Sequence, residues 1–322
     1  MDSYLNKLRV EIEEHLGSID LPSDPANLYE PIEYMLSLGG KRIRPILTLI
    51  GCELFGKPYS HAMDQALAVE IFHNFTLVHD DIMDSAEVRR NLPTVHKKWD
   101  VNIALLSGDG MIVIAYQHLF KAQNDKLKKL ADVFSKTALE VCEGQQYDMD
   151  YASYEIVSLS NYLEMIRLKT AVLLGGAMQL GAIMAGASEK KLEQVQHFAE
   201  SMGLAFQIKD DYLDSFGDQD YFGKEIGGDI REGKRTWLTL KAFELLGDDN
   251  QRLLDAYSIT DISKRVDAVM EIYNELDVKG CAEKEIATYS DDSLKTLANI
   301  EGEENVKSKL SALVHYLIDR VN

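Results

Sequence analysis

The placement of proline constrains the fold of this chain more than any other feature of its sequence. All six prolines lie at or before Pro93, and the rest of the 322-residue chain contains none. Because proline interrupts helices and marks turns and strand edges, its absence favours long helices joined by glycine and polar turns. Apolar residues also recur at helical spacing, for example at Leu67, Ile71 and Phe75. The sequence therefore predicts an all-α fold, with a single domain over residues 1–322.

Net charge and cysteine content limit the kinds of binding partner and the cellular compartment that we expect for this protein. Because the net charge is −19, the chain repels phosphate backbones, so we expect no nucleic-acid partner. Three cysteines are too few and too scattered for a disulfide framework or a zinc site. The acidic N-terminus does not resemble a signal peptide, and the longest uncharged run, residues 170–188, predicts a buried helix more readily than a membrane span. We expect a cytoplasmic protein without stable membrane insertion.

An acidic cluster follows an apolar run in the segment Leu77–Arg90, which reads LVHDDIMDSAEVRR. On a helix, Asp80, Asp81 and Asp84 are three or four residues apart, so their carboxylates project over one turn. Each like-charged pair costs about 0.2–0.5 kcal/mol, and apolar neighbours increase the repulsion by lowering the local dielectric constant. A solvated acidic helix end is the ordinary interpretation of one such cluster taken alone.

A second cluster changes that interpretation. The segment FQIKDDYLD repeats the pattern at Asp210, Asp211 and Asp214. Two helices that present such triplets to each other could hold several magnesium ions, because Mg²⁺ prefers oxygen ligands and completes its shell with phosphate oxygens. A calcium loop starting at Asp218 is a weaker alternative, since Phe222 stands where an oxygen ligand is required and Asp229 where glutamate is usual. The two triplets therefore predict a magnesium site for a diphosphate.

Basic residues accompany both acidic clusters. The motif GGKRIRP holds Lys41, Arg42 and Arg44, Arg89 and Arg90 follow the first triplet, and Lys224 and Lys234 follow the second. Arginine matches phosphate oxygens with two parallel hydrogen bonds, and glycine lets backbone amides approach an anion. Each of these cations alone is an ordinary surface residue, but together with the acidic clusters they predict diphosphate binding.

The motifs GGKRIRP, HNFTLVHDDIMD, RR, KT, FQIKDDYLD, GKEIGGDI and GKRT follow one another between about Gly39 and Thr236. In this order and spacing the chain resembles the trans-isoprenyl diphosphate synthases, also called polyprenyl synthetases. The resemblance implies an all-α bundle around a deep central cavity, the isoprenoid synthase fold, commonly as a homodimer. Asn91 departs from the glycine that is usual after the arginine pair, which affects the expected turn but removes no hydrogen-bond donor.

The resemblance also implies roles for individual residues. The magnesium ions that bind the allylic diphosphate would be held by Asp80, Asp81, Asp84, Asp210, Asp211 and Asp214. Positive charge around the same diphosphate would come from Arg89, Lys169, Lys224 and Lys234. The diphosphate of isopentenyl diphosphate would be bound by Lys41, Arg44, His73 and Arg90. Thr170 and Gln207 would lie near the developing cation and, with Lys169, are the candidate catalytic residues.

This arrangement implies prenyl transfer. Neutralising a diphosphate with magnesium and fixed cations makes it a leaving group, and the allylic carbocation that results is protected from water by apolar walls. The alkene of isopentenyl diphosphate attacks this cation, and we expect the released diphosphate to take the proton that is then lost. His73 and His79 lie on different helix faces, and for His79 we expect a packing role.

Product length depends on two aromatic residues. Phe75 lies five residues before Asp80 and Phe72 lies eight before it, so both rings fall on one helix face. In the family a bulky aromatic residue at the position of Phe75 marks short products, whereas Thr76 leaves room that some fifteen-carbon enzymes fill with a second aromatic. We therefore expect geranylgeranyl diphosphate as the product, with farnesyl diphosphate as the alternative. Both phenylalanines could instead be plain core residues, and the preferred allylic primer stays open.

Two other functional classes share this fold. A class I terpene cyclase normally has a second metal motif that mixes Asn or Asp with Ser or Thr and Glu, whereas this chain has a full aspartate triplet. A cyclase would also make no use of a site for a second diphosphate. A non-catalytic partner subunit typically lacks one aspartate triplet, and both are present here.

Overall fold

The structure, a computed structural model, describes residues 3–152, 154, 156–217 and 226–318. The helices are α1 (Ser3–Gly17), α2 (Ala26–Ser37), α3 (Ile43–Leu54), α4 (Met63–Met83), α5 (Val95–Lys98), α6 (Val101–Leu119), α7 (Asn124–Tyr151), α8 (Leu159–Ile166), α9 (Val172–Met184), α10 (Glu189–Phe216), α11 (Gly228–Glu232), α12 (Trp237–Leu246), α13 (Gln251–Tyr257), α14 (Ile262–Glu275), α15 (Val278–Asn299) and α16 (Glu304–Ile318). Short 3₁₀ turns span Tyr59–Ala62 and Gly247–Asp249, and a π-helical turn spans Arg167–Ala171. The predicted all-α fold class is confirmed.

The chain divides into two compact units. The first contains the described residues up to Ser135 together with Gly176–Glu193 and Glu301–Val306. The second contains Lys136–Gly175, Gln194–Ile300 and the described residues from Lys307 onward.

In the first unit, α4 is a core helix. Its residues Leu67, Ile71, Phe75 and Val78 are all buried, as their helical spacing predicts. The helix begins at Met63, directly after the 3₁₀ turn at Tyr59–Ala62.

Helices α3 and α9 approach each other closely in the same unit. A side chain at Gly51 would overlap the carbonyl of Met178, and one at Gly181 would overlap the carbonyl of Thr48. The absence of a Cβ at both positions lets the two backbones meet. This contact accounts for part of the glycine content of the apolar run at residues 170–188.

A two-stranded hairpin follows α4. Strand β1 (Val88–Arg89) pairs antiparallel with β2 (Leu92–Pro93), so Arg90 and Asn91 form a two-residue turn. Both turn residues have positive φ, 52° and 64°, which is the conformation of the type I′ turns that suit tight hairpins. Asparagine tolerates this conformation better than most residues, so the turn forms without the usual glycine.

The second unit has its own hydrophobic core, contributed by α8, α10, α12, α14 and α15. Trp237, Tyr273 and Ile208 are almost completely buried in it. The π turn at Arg167–Ala171 precedes α9, and a side chain at Gly144 of α7 would overlap its backbone at Lys169. Single π turns occur often at functional sites, and this one carries the KT motif.

Among the described residues, one stretch, Leu159–Met184, is long and apolar enough to cross a membrane by length and composition alone. However, 78% of its apolar window is buried inside the protein, as in a core helix. The predicted buried helix over the apolar run is therefore found.

Candidate active site

The first aspartate triplet lies at the carboxyl end of α4. Asp84 ends the helix, and its backbone N–H donates to the carbonyl of Asp80 at 2.8 Å. Asp81 is 1% exposed, whereas Asp80 is partly exposed and Asp84 is exposed. A helix carboxyl end already carries partial negative charge, so this position increases the need for a compensating cation.

Arg89 provides such a cation for the middle carboxylate. Its Nε lies 2.9 Å from both oxygens of Asp81, and its Nη2 lies 2.7 Å from Oδ1. This bidentate pairing neutralises the buried member of the triplet and leaves the outer carboxylates, Asp80 and Asp84, nearer the surface. Arg89 was predicted to face a substrate diphosphate, and in the structure it faces Asp81.

Three of the four residues predicted to bind isopentenyl diphosphate lie close together. Arg44 donates from Nη1 to His73 Nε2 at 3.2 Å, and Arg90 donates to the carbonyl of Gly39. A side chain at Gly40 would lie 3.0 Å from Arg90 Nη2, so this glycine makes room for the guanidinium. The fourth residue, Lys41, is exposed in the same loop.

His73 is neutral in this setting. Burial lowers its pKa well below the usual value, and the positive charges of Arg44, Arg90, Arg89 and Arg42 lower the pKa further. Because arginine can only donate, the Nε2 atom that faces Arg44 accepts the hydrogen bond, and the ring proton is assigned to Nδ1. A neutral ring adds no charge but orients the Arg44 guanidinium.

The middle arginine of GGKRIRP has a different environment. Arg42 is 4% exposed, forms an ion pair with the buried Glu70 and donates to the carbonyl of Leu36 at 2.9 Å. Glu70 also accepts from the Asn74 amide at 3.0 Å. Arg42 therefore fixes the loop from inside, while Lys41 is exposed and the half-buried Arg44 contacts His73.

The second aspartate triplet lies in the last turns of α10. Asp211 is 4% exposed, and Asp210 and Asp214 are partly exposed. Oδ2 of Asp211 accepts from the Tyr162 hydroxyl at 2.7 Å and from the Trp237 backbone N–H at 3.1 Å. Oδ1 accepts from the Gln207 amide at 3.3 Å. Burial raises the pKa of Asp211 to about 6, although these hydrogen bonds favour the ionised form.

Asp229, on the short helix α11, joins the second acidic group. Its backbone N–H donates to Oδ2 of Asp214 at 3.0 Å, and a side chain at Gly228 would lie 2.8 Å from Oδ1 of Asp214. Burial and the charges of Asp214 and Asp211 raise the pKa of Asp229 to about 7. Sequence reasoning met this residue in the calcium loop and in the motif GKEIGGDI, but it did not predict the place of Asp229 beside the triplet. The glycine pair immediately before it was the available signal.

The candidate catalytic residues are grouped around the π turn. The Thr170 hydroxyl lies 3.5 Å from Oε1 of Gln207, and Lys169 forms an ion pair with Asp148. Lys234 is exposed and pairs with Glu232 at 2.6 Å. Lys224 and most of the proposed calcium loop from Asp218 lie outside the described residues.

The two phenylalanines predicted to limit product length are buried and in contact. The Phe72 and Phe75 rings lie 5.4 Å apart, and Phe72 also meets Phe134 of α7 edge-on at 5.4 Å. The His79 ring packs edge-on against Phe75 at 4.6 Å, and its Nε2 donates to the carbonyl of Leu105 at 3.3 Å. Phe75 is thus supported on both sides along α4.

The donor set suits magnesium. Each unit, taken by itself, presents partly exposed outer carboxylates of the kind that Mg²⁺ prefers: Asp80 in the first unit, and Asp210 and Asp214 in the second, where Gly228 leaves space beside Asp214. Across the part of the chain that the structure describes, no three His, Cys, Asp or Glu side chains converge on one point. Bare carboxylates repel one another, so convergence is expected to require the cation itself.

Comparison with known proteins decides the family. The family model described as polyprenyl synthetase matches residues 25–276. The chain belongs to the polyprenyl synthetase family. The resemblance inferred from the sequence motifs is therefore confirmed, and members of this family are prenyltransferases.

Relatives and solved structures agree with this membership. A geranylgeranyl diphosphate synthase from Methanosarcina mazei is 41% identical over 222 residues, which is 68% of each chain. A crystal structure of a geranylgeranyl pyrophosphate synthase has 44% identity and a TM-score of 0.93, with 99% of each chain covered. A geranylgeranyl pyrophosphate synthetase from Pyrococcus horikoshii has 31% identity and a TM-score of 0.91, covering 99% of this chain and 100% of its own. The predicted isoprenoid synthase fold is thereby confirmed.

Proposed function

We propose that this polyprenyl synthetase condenses an allylic diphosphate with isopentenyl diphosphate, in a Mg²⁺-dependent reaction, to give geranylgeranyl diphosphate. One observation carries the proposal. The neighbouring residues Arg89 and Arg90 point to two different groups, Arg89 to Asp81 of the acidic triplet and Arg90 to the GGKRIRP loop. An enzyme that joins the carbon chains of two diphosphate substrates, and releases the diphosphate of one of them, needs a metal-binding acidic group for the leaving diphosphate and a separate basic group for the retained one. The names of the relatives support the geranylgeranyl product.

The candidate site residues fall into two sets, one for each diphosphate substrate. The allylic diphosphate would be bound through magnesium held by the two aspartate triplets, with positive charge from Arg89, Lys169, Lys224 and Lys234. When bound, Mg²⁺ supplies the charge neutralisation that makes this diphosphate a leaving group. Lys41, Arg44 and Arg90 would bind isopentenyl diphosphate, with neutral His73 orienting Arg44. Thr170 and Gln207 present oxygens that would stabilise the developing cation.

Phe75 and Phe72 would form the wall that stops chain growth. Both rings are buried, and Phe72 is supported by Phe134. Two adjacent aromatic rings on one face of α4 would stop a growing prenyl chain. The chain could pass only by displacing a ring, and in a close-packed interior a ring cannot move aside unless its neighbours rearrange. Farnesyl diphosphate is the alternative product if the wall stands one isoprene unit higher.

A product assay tests the function. The enzyme is incubated with isopentenyl diphosphate, Mg²⁺ and dimethylallyl, geranyl or farnesyl diphosphate in turn, and products are identified by mass. A linear twenty-carbon diphosphate is expected, cyclic hydrocarbons would indicate a terpene cyclase, and no product in any mixture would indicate a non-catalytic subunit. Excess chelator is expected to abolish turnover, and turnover that persists would contradict the role of magnesium.

The same assay tests the wall. Phe75→Ala is expected to shift products to twenty-five carbons or more, because it opens space beneath the metal site. Phe243→Ala removes a ring of similar burial from the core of the second unit and is the matched control, expected to change stability but not product length. An unchanged product distribution in Phe75→Ala would remove this residue from the wall.

We also propose that the protein is a homodimer that docks through α6. Leu106, Val113 and Phe120 are seven residues apart along this segment and are 61%, 59% and 46% exposed, so they form an apolar stripe. A second copy of the chain can bury such a stripe against its own α6 in a two-fold interface. Light scattering is expected to give twice the mass of the chain, and the mass of one chain would contradict this proposal.

We further propose that the two units work as one polyprenyl synthetase domain in the cytoplasm. The family match from 25 to 276 includes residues of both units, which supports one functional domain. None of the three cysteines, Cys52, Cys142 and Cys281, forms a disulfide, as suits a reducing compartment. Limited proteolysis is expected to leave no active fragment smaller than the whole chain, and an active single unit would contradict the one-domain proposal.

A further inference from the structure

The middle carboxylate of the second triplet is held by an unusual set of partners. Tyr162, Trp237 and Gln207 each donate one hydrogen bond to Asp211, and all three donors are uncharged. Trp237 is the first residue of α12, so its N–H is one of the donors that a helix leaves unpaired at its amino end. The helix dipole adds partial positive charge at the same point. Asp211 is thus anchored inside the unit instead of pointing outward with its neighbours.

Tyr162 is itself fixed. Its side chain is 7% exposed and belongs to the hydrophobic core of the second unit, together with Met165, Ile208 and Trp237. Ser158 caps the helix that carries it, since the Ser158 hydroxyl accepts from the backbone N–H of Asn161 at 3.2 Å. A packed ring on a capped helix gives its hydroxyl little freedom, and that hydroxyl makes the shortest of the three bonds to Asp211, at 2.7 Å.

The hydrogen bonds continue to the π turn. Gln207 donates from Nε2 to Asp211, and its Oε1 lies 3.5 Å from the Thr170 hydroxyl, which is positioned to donate to it. The amide is therefore oriented by Asp211 on one side and by Thr170 on the other. Tyr162, Asp211, Gln207 and Thr170 form one continuous network, which we call the Tyr162 network. It joins α8, α10 and the π turn within the second unit.

We propose that Tyr162 is a positioning residue that acts through Asp211 to orient the second triplet for binding Mg²⁺. Asp210 and Asp214 lie within one turn of Asp211. Anchoring Asp211 therefore fixes how the end of α10 is rotated about the helix axis, and this rotation sets the direction of both outer carboxylates. The residues behind a metal's direct ligands orient those ligands, and changing them typically lowers metal affinity about 10–100-fold. This inference rests on the proposed function, because it assumes that the triplet binds Mg²⁺.

The test measures metal binding directly. Mn²⁺ serves as the paramagnetic probe for Mg²⁺, inorganic diphosphate serves as the phosphate ligand, and the free Mn²⁺ signal is followed by electron paramagnetic resonance in the full-length protein. Tyr162→Phe removes the hydroxyl and keeps the ring. We expect the apparent Mn²⁺ dissociation constant to rise about tenfold, because Oδ2 of Asp211 then keeps only the Trp237 N–H. The Mg²⁺ concentration that gives half-maximal activity should rise by a similar factor.

Tyr273→Phe is the matched control. Tyr273 is buried in the core of the same unit, and its hydroxyl lies 2.7 Å from that of Thr239, so the substitution also removes a buried tyrosine hydroxyl that has a hydrogen-bond partner. Its Mn²⁺ affinity should stay within about twofold of the wild type, while both variants should lose similar thermal stability. Equal Mn²⁺ affinity in Tyr162→Phe and Tyr273→Phe would overturn the inference, whether both match the wild type or both fall.

The outcome for the wild type separates this inference from the proposed function. If the wild-type protein does not lower the free Mn²⁺ signal in the presence of diphosphate, the magnesium-dependent function itself is contradicted. Wild-type binding with unchanged binding in Tyr162→Phe would leave that function intact and remove only the positioning role.

Discussion

The two aspartate triplets share one sequence pattern but are anchored in different ways. In each, the middle carboxylate is buried and at least one outer carboxylate reaches the surface. In the first unit a charged guanidinium from the hairpin, Arg89, neutralises Asp81. In the second unit, Asp211 is held by the uncharged donors of the Tyr162 network and of Trp237.

This difference shows that identical motifs can have unequal electrostatic balance. Arg89 compensates the first triplet from within its own unit. The second triplet gains a further carboxylate, Asp229, and burial raises the pKa of Asp211 to about 6 and that of Asp229 to about 7. The second group is therefore the one that a divalent cation should stabilise more, because its carboxylates are ionised at greater cost.

The largest expected effect would show what the triplets share. Asp80→Asn in the first triplet and Asp210→Asn in the second should each lower kcat/KM about 10²–10³-fold. Each variant loses a carboxylate proposed to hold Mg²⁺, and the charge neutralisation that Mg²⁺ supplies matters most as the diphosphate leaves. Glu193→Gln, at an exposed position of α10, is the control and should leave activity unchanged. Steady-state kinetics with saturating Mg²⁺ measures both. If either aspartate variant kept normal activity, the two triplets would not be functional equivalents.

The next effect should distinguish the triplets. Arg89→Gln leaves Asp81 buried without its cation, and breaking such a pair costs about 3 kcal/mol, so the free energy of unfolding should fall by about that amount. Arg9→Gln is the control, because Arg9 pairs with Glu13 at a half-exposed site where such pairs contribute less than about 1 kcal/mol. Urea unfolding of the metal-free protein provides the values. Similar losses in the two variants would mean that Arg89 does not anchor the first triplet.

Much of this molecule could be predicted from its sequence. Helical periodicity located α4, and motif order identified the family and grouped Arg44, His73 and Arg90. Anchoring could not be predicted, because it depends on side chains that pack from distant parts of the chain. Tyr162 precedes Asp211 by 49 residues and lies in no charged motif. Arg42 and Arg44 look equivalent in GGKRIRP, and only packing against Glu70 turns one of them inward.

The smallest expected effect concerns the charge of the second group in the metal-free protein. The pKa of Asp229 is raised from 3.8 to about 7 in the folded state, so between these values the folded protein binds a proton that the unfolded chain has lost. Stability therefore falls as pH rises from about 4 to about 7 and is then level. One pKa unit corresponds to about 1.4 kcal/mol, and discounting for the partial exposure of this carboxyl we expect a fall of about 2 kcal/mol.

Asp229→Asn should remove the part of the fall that Asp229 contributes, because asparagine does not titrate, and should leave the part that Asp211 contributes through its own raised pKa of about 6. With chelator present, the variant should match the wild type near pH 4 and be more stable by about 2 kcal/mol at pH 8. Asp267→Asn, at an exposed position of the second unit, should keep the wild-type slope. Urea unfolding at several pH values gives the comparison. A wild-type slope in Asp229→Asn would mean that the pKa of this carboxyl is not raised in the folded protein, and that Asp229 does not add to the unequal balance of the second group.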